Sequence, residues 1–254
     1  MITFRYDKTL DGLLTAVFDA YSRRTFPDVL LGTDDDVPLF AGEIHTVMSD
    51  TEKSTRVWNG LERKASQGFC DMLLHVWLSE LPGADELLLK YIVKTFADVA
   101  GATMNHADDD VRRIRQIALK VSRERLHVIQ FVRFQKAADG IYFAPAAPLY
   151  NVLPLTIPHF CDRFADQMWL AYDIRRRYGY FYDMKKAVEV TLENDENLLD
   201  GKLDESIMAE DEKLFQQAWK DYTKALTIKE RLNPRLQRQN MPARFWKYMP
   251  EKNR

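Results

Sequence analysis

The chain has 254 residues, of which 46% are apolar and 29% charged, with a formal net charge of -2 at pH 7. Those values suit a globular protein with a sizeable core and exclude a globally basic polyanion binder, so any nucleic-acid contact must come from local patches. The only cysteines are Cys70 and Cys161, which argues against a disulfide framework or a CxxC zinc ribbon and fits a reducing compartment. The N-terminal residues lack the apolar core of a signal peptide, and no uncharged stretch is long enough to span a membrane, so a cytoplasmic location is expected.

In chain order, Ile2 to Tyr6 alternate and predict a short strand. Leu10, Leu13, Leu14, Val17, Phe18 and Tyr21 follow at helical spacing, with Thr9 placed to cap them. Residues 25–42 are punctuated by Pro27, Gly32, Asp34 to Asp36, Pro38 and Gly42 and read as loop. Ile44 to Met48 predict a second strand. Ser49 or Asp50 is placed to cap a helix running to Ser66. Further helices are expected over Phe69 to Leu81 and Leu87 to Val99. Asp108, Asp109 and Asp110 open a long helix, where acids suit the helix dipole. Its apolar face carries Val111, Ile114, Ala118, Val121 and Val128.

Phe131 to Phe134 and Ile141 to Phe143 flank Asp139-Gly140, a hairpin signal. Residues 151–167 read as a proline-interrupted helical segment, Trp169 to Tyr172 as a strand and Tyr178 to Tyr182 as another. Between Glu189 and Glu212 there are ten acids and one lysine, Lys202. This predicts an acidic surface excursion that folds over basic residues and competes with nucleic acid. Phe215, Trp219, Tyr222, Leu226 and Ile228 restore helical order. The tail from Lys229 carries eight basic residues against two acids. Short strands among many helices, without βαβ alternation, predict an α+β fold: a single, mostly helical domain over 1–254 with a small, mainly antiparallel sheet.

No P-loop, GxGxxG, GxSxG or HExxH motif occurs. The five histidines are not at metal-ligand spacing, so neither metal nor cofactor is expected. LPGADE (81–86) resembles a helix-hairpin-helix turn, but Asp85 stands where its second glycine belongs. A plain helix junction fits better.

Several stretches taken together are distinctive: YDKTLDGLLTAVFDAY (6–21), LERKAS (61–66), FVRF (131–134), NVLPL (151–155), HF (159–160), RF (163–164), WLAYDIRRRYG (169–179), ERLNPRLQ (230–237) and MPARFW (241–246). Their combination resembles the DUF4130 family over essentially the whole chain. The resemblance implies a DNA-metabolism context. Family members are paired with a radical S-adenosylmethionine (SAM) protein assigned to DNA modification or repair, and related domains are fused to a uracil-DNA glycosylase-like module. This sequence shows no such module and no CxxxCxxC cluster. It resembles the stand-alone form, and the expected role is that of the radical SAM protein's partner.

Each candidate residue carries two readings. Arg133 sits among apolar neighbours and needs either an internal carboxylate or a phosphate. His159 is an acid, base or donor near neutral pH, or a hydrogen-bonded structural histidine. Arg163 lies one helical turn on, placed to share its face. Asp173 closes an apolar strand, a position suited to a catalytic carboxylate or to an ion pair with Arg175 or Arg176. Arg175 and Arg176, with Tyr182, belong to a basic-aromatic cluster suited to phosphates and unpaired bases or to an ordinary two-faced strand. In the tail, Arg231, Asn233, Gln237 and Arg244 are candidate nucleic-acid contacts, and Trp246 is a candidate anchor for the C-terminus.

The expected function is that of a DNA-metabolism accessory protein, acting with a radical SAM partner and binding nucleic acid, that partner, or both. The alternatives are an enzyme acting on a nucleotide or modified base through His159 and Asp173, and a purely structural partner-binding module.

Overall fold

The architecture comes from a computed structural model that describes residues 1–37, 42–105, 107–192 and 208–252. The chain divides into two compact units, Met1–Ser122 and Arg123–Arg254. As the sequence predicts, the fold is α+β and mostly helical.

The first unit is built on β1 (Ile2–Tyr6), flanked by β2 (Val29–Gly32) and β3 (Glu43–Thr46) in the order β2-β1-β3, with both pairings parallel. The middle strand is the buried one: Phe4 and Tyr6 have no exposed surface. The Tyr6 hydroxyl donates to Asp85 at 2.9 Å. Helix α1 (Leu10–Arg23) starts at Thr9, whose hydroxyl accepts from the Gly12 amide, and packs Leu13, Leu14 and Val17 inward. Asp50 caps α2 (Thr51–Lys64) by accepting from the amides of Glu52 and Lys53. Both caps fall where short polar side chains precede an apolar-periodic run. Helices α3 (Gln67–Trp77), α4 (Ala84–Ala97) and α5 (Val99–Met104) follow. Next comes α6 (Asp109–Phe131), the helix opened by acidic residues.

The second unit holds a five-stranded sheet. Its strands are β4 (Gln135–Lys136), β5 (Tyr142–Ala146), β6 (Trp169–Asp173), β7 (Tyr178–Tyr182) and β8 (Ala187–Val190), in sequence order across the sheet. Helix α7 (Leu153–Arg163) makes the crossover between β5 and β6, which pair in parallel; the other three pairings are antiparallel. A parallel pair needs such a crossover because no tight turn can return the chain in the same direction. The hairpin joining β4 and β5 turns at Gly140, whose φ of +86° is open to glycine without steric cost. Gly179 meets a different constraint. A Cβ there would lie 2.5 Å from the Ala171 carbonyl oxygen and 2.8 Å from the Tyr172 ring, so β7 can approach β6 only without a side chain. Trp169 and Tyr172 are fully buried. On the outer strand β8, Glu189 stands opposite Tyr180 and accepts its hydroxyl proton at 3.0 Å. Helices α8 (Glu212–Ala225) and α9 (Pro234–Asn240) complete the unit.

Three expectations are corrected. The five-stranded sheet is mainly antiparallel, as expected, with one parallel pairing, but it is not the single sheet predicted: a second one, wholly parallel, lies in the first unit. Residues 29–32, read as loop, form β2, because a four-residue strand between turn residues has too little alternation to announce itself. Phe131 to Phe134, read as a strand, begins as the last residue of α6, whose apolar stripe runs on through Val128 to Phe131. Most of the acidic stretch, 193–207, lies outside the described residues.

Candidate functional site

Four residues, Ile174 to Arg177, turn the chain from β6 into β7, and Asp173 at the end of β6 holds that turn together. Its side chain is fully buried. Oδ1 accepts from the amides of Arg175 at 2.9 Å and Arg176 at 3.2 Å, and Oδ2 accepts from Arg176 Nη1 at 2.9 Å. Aspartate favours this geometry because its short arm reaches the amide two residues on. The Arg177 amide donates to the Asp173 carbonyl at 2.8 Å, with Arg177 at a φ of +58°. Arg176 reaches the carbonyls of Pro148 and Leu149, and Arg175 that of Leu149 at 3.0 Å. Burial lifts the Asp173 carboxyl above the usual carboxylate range, and the Arg176 guanidinium pulls it part of the way back. The turn presents Arg175 and Arg177 exposed, while Arg176 is half-buried.

Alternation places Tyr178, Tyr180 and Tyr182 on one face of β7. The Tyr178 hydroxyl donates to Asn151 Oδ1, and burial raises its phenol. Burial, helped by Glu189, pushes the Tyr180 phenol up to about 12. Tyr182 is buried and stacks on Trp169 with ring centroids 5.2 Å apart. It therefore belongs to the core, where no base can reach it.

His159 and Arg163 are exposed one turn apart on α7, sharing a face as their spacing predicts. His159 meets Phe160 edge-on at 5.9 Å, and the Arg163 guanidinium sits 5.5 Å from the Phe164 ring centroid. Among the described residues, no hydrogen bond or ion pair joins His159 to Asp173.

Arg133 donates to Glu251 Oε1 through Nε at 3.2 Å and Nη2 at 2.8 Å. Arg244 donates to the buried carboxylate of Glu124, which also accepts from the Leu149 amide at 2.8 Å. Arg231, Asn233 and Gln237 are exposed and line a shallow groove with Leu232, Pro234 and Asn240. Asn233 is the N-cap of α9, accepting from the Leu236 amide at 3.0 Å. Trp246 is half-buried; its neighbours Phe245, Tyr248 and Met249 are the buried anchors of the C-terminal segment.

The structure thus gathers Asp173, Arg175 and Arg176 into one turn, leaves His159 with Arg163 on α7, and commits Arg133 and Arg244 to internal carboxylates. Sequence reasoning missed Glu124, Glu251 and Asn151 as partners. Asn151 opens the distinctive NVLPL (151–155), whereas the two glutamates carry no local signal. It also missed a charged cluster in the first unit. There Asp19, 12% exposed at the side chain, accepts from Lys53 Nζ and contacts His45 Nε2, each at 2.9 Å. Burial pushes the Asp19 carboxyl up, and the His45 and Lys53 bonds outweigh it, leaving it below the usual range. Among the described residues, no three His, Cys, Asp or Glu side chains are grouped to hold a metal ion, and no helix is long and apolar enough to cross a membrane.

These features define a helix-rich α+β protein with a parallel three-stranded sheet and a mixed five-stranded one. The chain belongs to the DUF4130 family, a domain of unknown function, whose family model matches residues 82–251. That match takes in α4 to α9 and every strand of the five-stranded sheet. No curated protein and no solved structure matches the chain.

Proposed function

We propose that this chain is a non-catalytic accessory protein of DNA modification or repair, working beside a radical SAM partner and contacting nucleic acid through the turn between β6 and β7. One observation carries the reading. Asp173, the candidate catalytic carboxylate, is buried and engaged by Arg176 and two backbone amides, and this bracing presents Arg175 and Arg177 outward. A fixed turn loses little conformational entropy when its arginines meet phosphates. The DNA context and the radical SAM partner come from the family resemblance of the sequence. An enzyme working through His159 and Asp173 receives less support, since the Asp173 carboxylate is fully buried and already engaged by Arg176 and two amides.

The test is binding of a fluorescein-labelled single-stranded oligonucleotide to the full chain across a salt series, with and without the co-expressed radical SAM protein. Affinity should fall steeply with salt. Arg175→Ala and Arg177→Ala should each flatten the slope of log affinity against log salt by about 0.7, one released counterion per lost phosphate contact on a single strand. A salt-independent affinity, or one indifferent to both substitutions, removes the proposal.

A further inference from the structure

Helix α8 leaves its apolar stripe largely uncovered. The side chains it sets against its own unit are polar: Glu212 is buried, and Gln216, Lys220 and Thr223 are half-buried. Glu212 anchors the first turn by accepting from the Lys136 amide at 3.1 Å and from Gln216 at 3.0 Å. The apolar arc lies beside these polar groups and stays largely uncovered. Phe215 is 62% exposed, Trp219 41%, Tyr222 55% and Leu226 62%. At 100° per residue these four fall within a single stripe, the spacing that normally marks the face a helix buries.

The chain beyond α8 continues the pattern. Every residue from Lys224 to Asn240 is exposed, including Leu226, Ile228, Leu232 and Leu236. Eight of the nineteen exposed large apolar side chains among the described residues lie between Leu214 and Leu236. A concentration of that kind marks an interaction surface, whereas singly scattered apolar residues do not. Charge indicates what covers it. Residues 224–240 hold five basic side chains, Lys224, Lys229, Arg231, Arg235 and Arg238, against the single acid Glu230, a net of +4 in a chain whose total is -2. Five of the eight exposed groups, Leu214, Leu226, Ile228, Leu232 and Leu236, are aliphatic and offer a base no ring to stack on, and the rings of Trp219 and Tyr222 already stack on each other with centroids 5.6 Å apart.

We infer that α8 and the segment running through α9 form the docking arm for a protein partner that presents an acidic amphipathic helix. The partner's apolar stripe covers Phe215, Trp219, Tyr222 and Leu226, and its carboxylates face the basic residues of 229–238. This is helix-on-helix recognition with a charge code that selects the partner. It rests on the part of the preceding proposal in which the chain works with another protein, and it uses none of the residues assigned there to nucleic acid.

The experiment uses the full chain and two fluorescein-labelled synthetic helical peptides of about five turns, sharing one leucine stripe but bearing glutamates or lysines on the polar face. Fluorescence anisotropy should show the acidic peptide binding at least tenfold more tightly than the basic one. Phe215→Ala with Tyr222→Ala should weaken it at least tenfold, and so should Arg235→Glu with Arg238→Glu. All four positions are exposed, so far-ultraviolet circular dichroism should be unchanged. Arg175→Ala should leave peptide binding intact, which separates this test from the oligonucleotide one. The inference is overturned by no binding of the acidic peptide, by equal binding of both peptides, or by loss of oligonucleotide binding in the Phe215/Tyr222 variant. Sedimentation showing self-association that the Phe215/Tyr222 variant abolishes also overturns it, assigning the face to a second copy.

Discussion

Glu124 and Arg244 stand 120 residues apart in sequence and form an ion pair in which the glutamate side chain is only 3% exposed and the arginine side chain 34%. A charge so buried is tolerable only while paired. Arg244→Ala leaves Glu124 with the Leu149 amide and His127 alone, and should cost about 3 kcal/mol of stability. Urea unfolding checks this. A matching loss in Glu124→Ala, with a double variant less harmed than the sum of the two, identifies the pair as the cause. Oligonucleotide affinity of folded Arg244→Ala should equal that of the parent, because this guanidinium serves the interior.

Gly179→Ala puts a methyl group against backbone. The 2.5 Å approach to the Ala171 carbonyl cannot be relieved by rotating a side chain. The expected destabilisation is about 3 kcal/mol, the upper end of overpacking costs. Gly140→Ala is the useful contrast: its Cβ meets open space, and its cost, that of the left-handed backbone alone, should be about 1 kcal/mol. Thermal unfolding of both variants should rank them in that order.

The two buried aspartates predict opposite pH behaviour. Asp19 is held below the usual carboxylate range, so its contribution is present above about pH 4 and lost as pH falls through the lowered value. Asp173 is raised above that range by burial, so the folded chain holds this proton more tightly than the unfolded one does. Its contribution is complete below about pH 4 and lost as pH rises through the raised value. Stability measured from about pH 3.5 to 7 should show the gap between parent and Asp19→Asn widening with pH, and the gap between parent and Asp173→Asn narrowing. Parallel curves for the two variants contradict these assignments.

Much of the fold was legible where a local rule decides the outcome. Thr9 caps α1 as expected, Asp50, one of the two candidates, caps α2, alternation marks β1, and the apolar and aromatic runs at 169–172 and 178–182 fall on β6 and β7. Reading failed where the deciding contact is distant. Nothing near Arg133 announces Glu251, 118 residues on, and nothing near Arg244 announces Glu124. Each arginine looked available for a phosphate because its true partner lies at the other end of the unit's sequence. Phe131 misled for a different reason: an apolar, β-branched run at the end of a helix has the composition of a strand, and only its register with Val121 and Val128 marks it as helical. The apolar stripe of α8 was visible as a pattern, but its exposure was not. Helical spacing gives the stripe, and only the structure shows that Phe215, Trp219, Tyr222 and Leu226 are left uncovered.

The bond from Tyr180 to Glu189 has a bearing on solubility. A strand at the rim of a sheet offers its backbone to any passing chain, and extension by a second copy is the first step toward fibrous aggregates. Here the rim strand carries a carboxylate at its third residue, flanked by Val188 and Val190. The phenol opposite, with a pKa near 12, remains a donor throughout the physiological range and fixes that charge in place. A second β8 laid alongside in antiparallel register would bring one fixed negative charge toward another, so the rim strand carries its own repulsion against extension by a copy of itself.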